Sequence, residues 1–361
     1  MRIILAPDSF KGTLSAGEIC RIERAAVLER FPGAEVICIP MADGGEGMAA
    51  AYRKIIGGEK ITAEVCGPLG MPVQAEYAML PDRTAVIEMA AAAGLPLMGE
   101  KRDPLRAGTR GVGELLLHAL KMGARRILLG LGGSATNDMG CGMAAALGWK
   151  FYDEAGEIEP LAKNLIRVTR IQPGAPFPIP VTAACDVQNP LLGPQGASAV
   201  YGPQKGVNPE NYDLLEGGLA NIARLLSFKE LPGAGAAGGL GAGVALFLKG
   251  RLQPGIEMLL DAAKFDELLG RSDLVITGEG RMDAQSANGK VPMGVGLRCR
   301  AAGVPCIAIC GSLGEGAEEM RNYGVSAMYA AAESGYAGAE DIRRAILGVL
   351  GEIWGSAPSP A

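Results

Sequence analysis

The chain has 361 residues, of which 48% are hydrophobic, 20% charged and only 5% aromatic, a globular composition with an aliphatic core that excludes wholesale disorder. Glycine, at 54 residues, is roughly twice its ordinary usage without the period of collagen, so the excess serves turns, close packing and the approach of backbone to a ligand. The net charge of −5 excludes a global basic footprint for nucleic acid, and no apolar run approaches the length of a membrane span.

The pattern along the chain is strand, glycine-rich loop, helix, repeated. Arg2–Ala6 reads as a short apolar strand, and Ser15–Phe31 as a helix opened by a capping box, Ser15 with Glu18 three residues on. Glu35–Pro40 is a second strand, Gly45–Ile56 a second helix, and the alternating Ile61–Val65 a third strand. The opening is therefore βαβαβ, the signature of a parallel sheet covered by helices. Val73–Leu80 and Ala85–Met89 read as a hairpin around Pro81-Asp82. Gly111–Met122 and Cys141–Leu147 read as helices, Arg126–Leu131 and Pro180–Cys185 as strands, and Gly233–Gly243 as low-complexity Gly/Ala. The alternation then resumes: strand Asp273–Thr277, helix Val291–Ala302, strand Val304–Cys310, helix Gly316–Tyr323, strand Ser326–Ala331 and an amphipathic helix Ala339–Trp354. The expected fold is α/β with two domains. A Rossmann/flavodoxin-like parallel-sheet domain is built from both chain ends, residues 1–64 with 266–354, and a second α/β domain, 65–265, is inserted between them. Residues 355–361 read as a flexible tail.

The inventory of reactive side chains narrows the chemistry. The one histidine, His118, sits in an apolar helical stretch and reads as a packed helix residue; a Ser-His-Asp or Cys-His mechanism would rest on it alone, and a multi-His metal site is excluded. The eight cysteines form no CxxC and lie mostly in apolar text, Cys306 and Cys310 on one face of a strand, which reads as buried free thiols without zinc or disulfides. With no secretory apolar segment at the start, the expected compartment is the cytoplasm.

In an open α/β sheet, ligands gather beyond the carboxyl ends of the strands. Five such ends carry acids, four of them together with glycine. They are Pro7-Asp8-Ser9-Phe10-Lys11-Gly12-Thr13, Met41-Ala42-Asp43-Gly44-Gly45-Glu46-Gly47, Gly132-Gly133-Ser134-Ala135-Thr136-Asn137-Asp138, Asp186-Val187-Gln188-Asn189 and Gly278-Glu279-Gly280-Arg281-Met282-Asp283 followed by Gly289-Lys290. One Asp/Ser/Gly junction is ordinary helix capping, which needs one side chain rather than three or four. Glycine-rich backbone at a helix start cradles an anion, and Lys11, Lys205, Arg281 and Lys290 are cations suited to phosphate. Bases, cations and an anion cradle without a histidine or cysteine nucleophile suit phosphoryl transfer, which needs positioning and charge. The P-loop is absent, because Val291 follows Gly289-Lys290. The dinucleotide fingerprint is nearly met by Gly130-Leu-Gly132-Gly-Ser-Ala135 with Asp153 about 20 residues on, but Asp138 would place a like charge against a pyrophosphate.

These segments, with Gly202-Pro-Gln-Lys205-Gly206 and Gly235-Ala-Ala-Gly-Gly-Leu-Gly241, together resemble the bacterial glycerate kinases of the type-1 group that lacks a P-loop. Seven motifs stand in family order over nearly the whole chain; Met48, Met139 and Cys141 depart from the residues usual in the family. The resemblance implies ATP-dependent, Mg²⁺-assisted phosphorylation of D-glycerate, with 2-phosphoglycerate as product, in organic-acid catabolism. Candidate catalytic residues are Asp8, Lys11, Asp186, Arg281, Asp283 and Lys290, with Asp8, Asp186 or Asp283 the base and the cations clamping carboxylate or γ-phosphate. Candidate substrate- or nucleotide-binding residues are Ser9, Gly44, Gly45, Gly132, Gly133, Ser134, Asn137, Asn189, Lys205, Gly278 and Gly280; Asp43, Glu46 and Glu279 are candidate Mg²⁺ ligands. The expected partner is a small-molecule substrate, neither nucleic acid nor membrane, and a homodimer stays open. The alternatives are a kinase giving 3-phosphoglycerate or acting on another small hydroxy acid, an NAD-dependent oxidoreductase, and a non-catalytic metabolite-binding protein.

Overall fold

Residues 1–10, 12–42, 45, 47–100, 102–287, 289–332 and 337–355 are described by the computed structural model. Among them, eleven strands build the two main sheets: β1 (Arg2–Pro7), β2 (Glu35–Cys38), β3 (Glu59–Cys66), β4 (Pro72–Met79), β5 (Thr84–Glu88), β6 (Arg126–Gly130), β7 (Val181–Ala184), β8 (Arg251–Gln253), β9 (Leu274–Gly278), β10 (Cys306–Cys310) and β11 (Ala327–Ala330). The helices include α1 (Ala16–Arg30), α2 (Met48–Ile56), α3 (Arg110–Lys121), α4 (Cys141–Ala146), α5 (Tyr212–Leu225), α6 (Ala236–Phe247), α7 (Gly255–Ala262), α8 (Val291–Ala302) and α9 (Ala339–Trp354). The chain forms two compact units, one drawn from Met1–Asp43, Lys54–Ile56 and Ile256–Ala361, the other from Gly44–Arg53 and Gly57–Gly255.

In the first unit the sheet order is β11-β10-β9-β1-β2 and every pairing is parallel. Parallel strands covered by helices read as continuous apolar runs, and Ile3, Ile4, Leu5, Val275, Ile276 and Ile309 are fully buried. Ile19 and Val27 of α1 and Ile342 and Ile346 of α9 share the core with Ile3, Leu5 and Ile276. The expected capping box opens α1: the Ser15 side chain accepts from the Glu18 N–H, and the Glu18 carboxylate takes the Ser15 N–H at 2.9 Å. The chain leaves β1 for β2 on one side and returns at β9 on the other. The order of the sheet therefore reverses between β1 and β9, which makes their carboxyl ends a topological switch point.

The second unit has the order β8-β7-β6-β5-β4-β3, the first four strands parallel and the last two antiparallel. The hairpin read around Pro81-Asp82 is β4–β5, with Ala78 opposite Val86. The third strand expected in the opening parallel sheet is here instead: β3 pairs antiparallel with β4 from Glu59↔Met79 to Cys66↔Pro72. Alternating residues suit either kind of half-buried strand, so the pattern did not discriminate. The units accordingly divide near 43/44 and 255/256, where the sequence reading had 64/65 and 265/266.

Elements that were not anticipated include helices α5 and α7, strand β8, helix α6 within the Gly/Ala stretch, and a small antiparallel sheet of residues 150–153, 156–158 and 170–172. The start of α6 turns through left-handed backbone at Ala237, Gly238 and Gly239. A Cβ at Gly238 would stand 1.9 Å from the Thr136 carbonyl oxygen, so the glycine there is required by close approach to the loop after β6. Gly316–Tyr323, read as a helix, is a 3₁₀ turn over Ala317–Tyr323. No helix among the described residues is long and apolar enough to cross a membrane.

Candidate active site

In the first unit the candidate residues Asp8, Gly278 and Glu279 lie at the switch point. Asp8 follows β1 and is 6% exposed; its N–H donates to the Gly278 carbonyl at 2.8 Å, and its Oδ1 accepts from the Ser9 N–H at 2.7 Å. Glu279 follows β9 and is 5% exposed. Its Oε2 pairs with Lys290 Nζ at 3.3 Å, while its Oε1 is buried with no hydrogen-bond partner among the described residues. Burial pushes the Glu279 carboxyl above its ordinary value, and Ser286 and Lys290 offset this only in part. Lys290 stands at the N-cap of α8, after Gly289 in left-handed backbone.

Two candidates beside this cluster have local work. Asp283 Oδ1 accepts from the Gln285 N–H at 2.9 Å and Oδ2 pairs with Arg281 Nε at 3.5 Å, so Asp283 caps the short turn Ala284–Ala287 and Arg281 extends into solvent. Gly278 is required by its neighbour strand, since a Cβ there would stand 1.9 Å from the Ile309 carbonyl oxygen. Gly280 is fixed in the same way by backbone pairing, its carbonyl accepting from the Ser312 N–H at 3.0 Å.

In the second unit the loop after β6 turns at Gly133 (φ +76°) and is tied to the chain before it, Leu95 N–H donating to the Gly133 carbonyl and Ala135 N–H to the Ala93 carbonyl, each at 2.9 Å. Helix α4 begins at Cys141, where the sequence reading put it, so Gly132, Gly133 and Ser134 form a turn well before the helix start. Asp138 is fully buried and takes four donors: the Thr109 N–H and hydroxyl at 2.8 Å each, the Gly140 N–H at 3.1 Å and the Gly142 N–H at 3.2 Å. Burial still pushes its carboxyl upward. Asn137 donates to Ser198 Oγ at 3.1 Å, and its Oδ1 has no hydrogen-bond partner among the described residues. Lys205 is 2% exposed, donating to Ser134 Oγ at 2.7 Å and to the Thr136 carbonyl at 2.9 Å. Burial pushes the Lys205 ammonium down to about 7, with Asp138 acting in the opposite sense.

Past β7, Asp186 Oδ1 accepts from the Gly255 N–H at 2.8 Å and so caps α7. Asn189 is engaged at both ends of its amide, donating to the Gln195 carbonyl at 2.9 Å and accepting from the Tyr201 hydroxyl at 2.6 Å, which makes it a loop brace rather than an open ligand. Past β5, Glu88 accepts from the Gly47 N–H at 3.2 Å and the Ala49 N–H at 2.9 Å. A carboxylate of the protein itself thus occupies the N-terminus of α2, where the sequence suggested an anion. Lys11, Asp43, Gly44 and Glu46 lie outside the described residues, and Gly45 sits half-buried in the bend before α2.

Glu88 was missed because it is the last residue of a strand, not part of a glycine loop. Thr109 was missed because its partner Asp138 is 29 residues away. His118 is a helix residue whose Nδ1 meets the Tyr77 hydroxyl at 3.0 Å. Asp153, the acid of the dinucleotide fingerprint, lies in the small antiparallel sheet bonded to Arg167 and the Ala155 N–H. With no helix opening after Ala135, the NAD reading loses its structural context.

The family model "Glycerate kinase family" matches residues 3–346 and so runs through both units. The chain belongs to the glycerate kinase family. A glycerate kinase of Halalkalibacterium halodurans is 45% identical over 342 residues, 91% of this chain and 90% of that protein. The glycerate 2-kinase of Escherichia coli K12 is 42% identical over 345 residues, with the same shares. A crystal structure of a Salmonella typhimurium LT2 protein, provisionally assigned as glycerate kinase 2, superposes with a TM-score of 0.85 at 38% identity over 98% of each chain. The family match makes the chain a kinase that phosphorylates an alcohol group and takes a nucleotide and a small-molecule substrate.

Proposed function

We propose that the protein transfers the γ-phosphoryl group of ATP to the 2-hydroxyl of D-glycerate with the help of Mg²⁺. The observation that carries this reading is the family match through both units, with a glycerate 2-kinase among the relatives covered nearly end to end. The acceptor oxygen bonds to the γ-phosphorus as the bond to the β-phosphate bridging oxygen breaks, and the hydroxyl proton passes to a carboxylate. All three candidate bases accept a backbone N–H, Asp8 from Ser9, Asp186 from Gly255 and Asp283 from Gln285; Asp8 is preferred for its burial at the switch point. Lys290 supplies positive charge beside Glu279, and the Gly132–Ser134 turn holds an anion.

Glu279 is the one candidate magnesium ligand among the described residues, which hold no group of three or more acids, histidines or cysteines that could bind a metal. Its buried Oε1, which has no hydrogen-bond partner among the described residues, is a hard oxygen donor, and Mg²⁺ in kinases takes one or two carboxylates with phosphate and water completing the shell. When bound, the ion neutralises charge on the phosphate oxygens. Asp43 and Glu46, the other candidate ligands, lie outside the described residues. The deciding experiment is ³¹P NMR of purified protein with ATP, Mg²⁺ and D-glycerate. A 2-phosphoglycerate signal is expected. A 3-phosphoglycerate signal would keep the kinase and overturn the position, and ADP formation without phosphoglycerate would move the reading to another hydroxy acid.

A further inference from the structure

Lys205 lies in the turn Gly202–Gly206, which the sequence marks as cationic, and it is 2% exposed. Its ammonium reaches the loop after β6 at two points, Ser134 Oγ at 2.7 Å and the Thr136 carbonyl at 2.9 Å. Two more polar atoms of that loop, Thr136 Oγ1 and Asn137 Oδ1, belong to fully buried residues and have no hydrogen-bond partner among the described residues. Buried polar atoms are rarely left unsatisfied, so this loop is short of partners around a buried positive charge. We propose that Lys205 is a positioning residue which braces the Gly132–Ser134 turn and lends it charge, so that an anion taken at the turn draws a proton onto Lys205. The anion is a phosphate group of the nucleotide or the carboxylate of the acceptor, and the proposal rests on the reading above that this turn holds one.

The physical basis is the contest over the lysine proton. Desolvation disfavours the ammonium and brings it to about 7, so without a ligand a large share is neutral at ordinary pH. A neutral amine still has two N–H groups for the same two oxygens, so the turn keeps its brace while losing its charge. Asp138 is the carboxylate acting on Lys205, and it is already held by four donors. Arg102, whose side-chain stem lies against Gly206, sends its guanidinium to the Leu95 carbonyl. An arriving anion adds a negative charge and shifts the lysine back to its ammonium form. By linkage, affinity then falls by up to tenfold per pH unit above about pH 7.

Calorimetric titration at pH 8 tests this, run in two buffers of different ionisation enthalpy, with MgADP and D-glycerate in separate experiments. At that pH phosphate and carboxylate groups are already ionised, so a proton taken up comes to the protein. The expected result is uptake approaching one proton with one of the two ligands, which also identifies the anion at the turn. Lys205→Arg keeps the charge but cannot titrate, and is expected to bind that ligand without uptake and with pH-independent affinity. Lys205→Met is expected to bind it at least tenfold more weakly, with a raised KM and a smaller effect on kcat. Binding of both ligands by the native protein without proton uptake overturns the proposal and leaves the kinase reading intact. Uptake that persists in a folded Lys205→Arg variant overturns it too. Failure of both ligands to bind overturns the kinase reading and the proposal together.

Discussion

Past β6 the Asp138 carboxylate collects four donors, two from Thr109 and one each from Gly140 and Gly142; past β9 the Glu279 carboxylate pairs one oxygen with Lys290 and keeps the other buried with no hydrogen-bond partner among the described residues. Both acids follow a parallel strand, both are buried, and burial raises both. The number and source of their donors separate them. A carboxylate saturated by backbone N–H groups holds a loop in shape, whereas one left short of donors has an oxygen for a ligand. The same division runs through the other acids: Asp186, Glu88 and Asp283 take N–H groups at helix or turn starts.

Substitution should pull the two kinds apart. The largest effect is expected at Glu279→Gln, which removes charge where an oxygen lacks a partner among the described residues: kcat should fall by about 10²–10³, with folding retained. Steady-state kinetics against Mg²⁺ concentration checks this, and an unchanged kcat at every Mg²⁺ level would remove Glu279 from the site. Asp138→Asn should act on stability instead. It replaces an acceptor of four donors by an amide that accepts at one end only, at a cost of about 2–3 kcal/mol. Urea unfolding followed by circular dichroism measures the loss, and a variant as stable as the native protein would refute the bracing role. Asp283→Asn should be the mildest of the three. An asparagine caps a turn nearly as well as an aspartate, so kcat should change less than about threefold and stability by under about 1 kcal/mol.

The sequence announced where chemistry could sit better than which acids would do it. Helices α1, α8 and α9 were readable because their signals are local: the Ser15/Glu18 box, the Pro292 start, the amphipathic stripe. The switch point was readable as two glycine-rich strand ends but not as neighbours, because β1 and β9 are joined only by pairing across some 270 residues. The same remoteness hid Thr109 from Asp138 and hid the partners of Asp186 and Glu88, which lie 29 to 69 positions away. Capping by a distant carboxylate leaves no local spacing to read. At α6 the Gly/Ala stretch read as low complexity without a defined helix, and the close backbone packing that needs small residues there involves a loop about 100 residues away. Lys205 was legible as a cation but not as a buried one, because a Gly-Pro-Gln-Lys-Gly turn carries no apolar pattern to signal burial.

Glu23 offers the finest test of what donor shortage means, since it combines burial with an absence of strand-end context. It lies on α1, is fully buried, and both carboxyl oxygens lack hydrogen-bond partners among the described residues. Burial, with Cys38 adding to it, pushes its carboxyl well above the ordinary value. The sign follows from linkage. Below the ordinary carboxylate range both folded and unfolded chains are protonated at this position, and the group has no effect. As pH rises through that range, the unfolded chain ionises while the folded one keeps its proton, and stability falls up to the raised folded value. Glu23→Gln cannot ionise and escapes that loss. The variant should match the native protein near pH 4 and melt at a higher temperature near pH 8, with kcat unchanged at both. Thermal melts at the two pH values beside an activity assay decide it. A lower melting temperature at pH 8 would mean that the carboxylate is stabilised by something other than the described residues. A large loss of kcat would mean that donor shortage marks function even away from the strand ends, and Glu279 would lose its special standing.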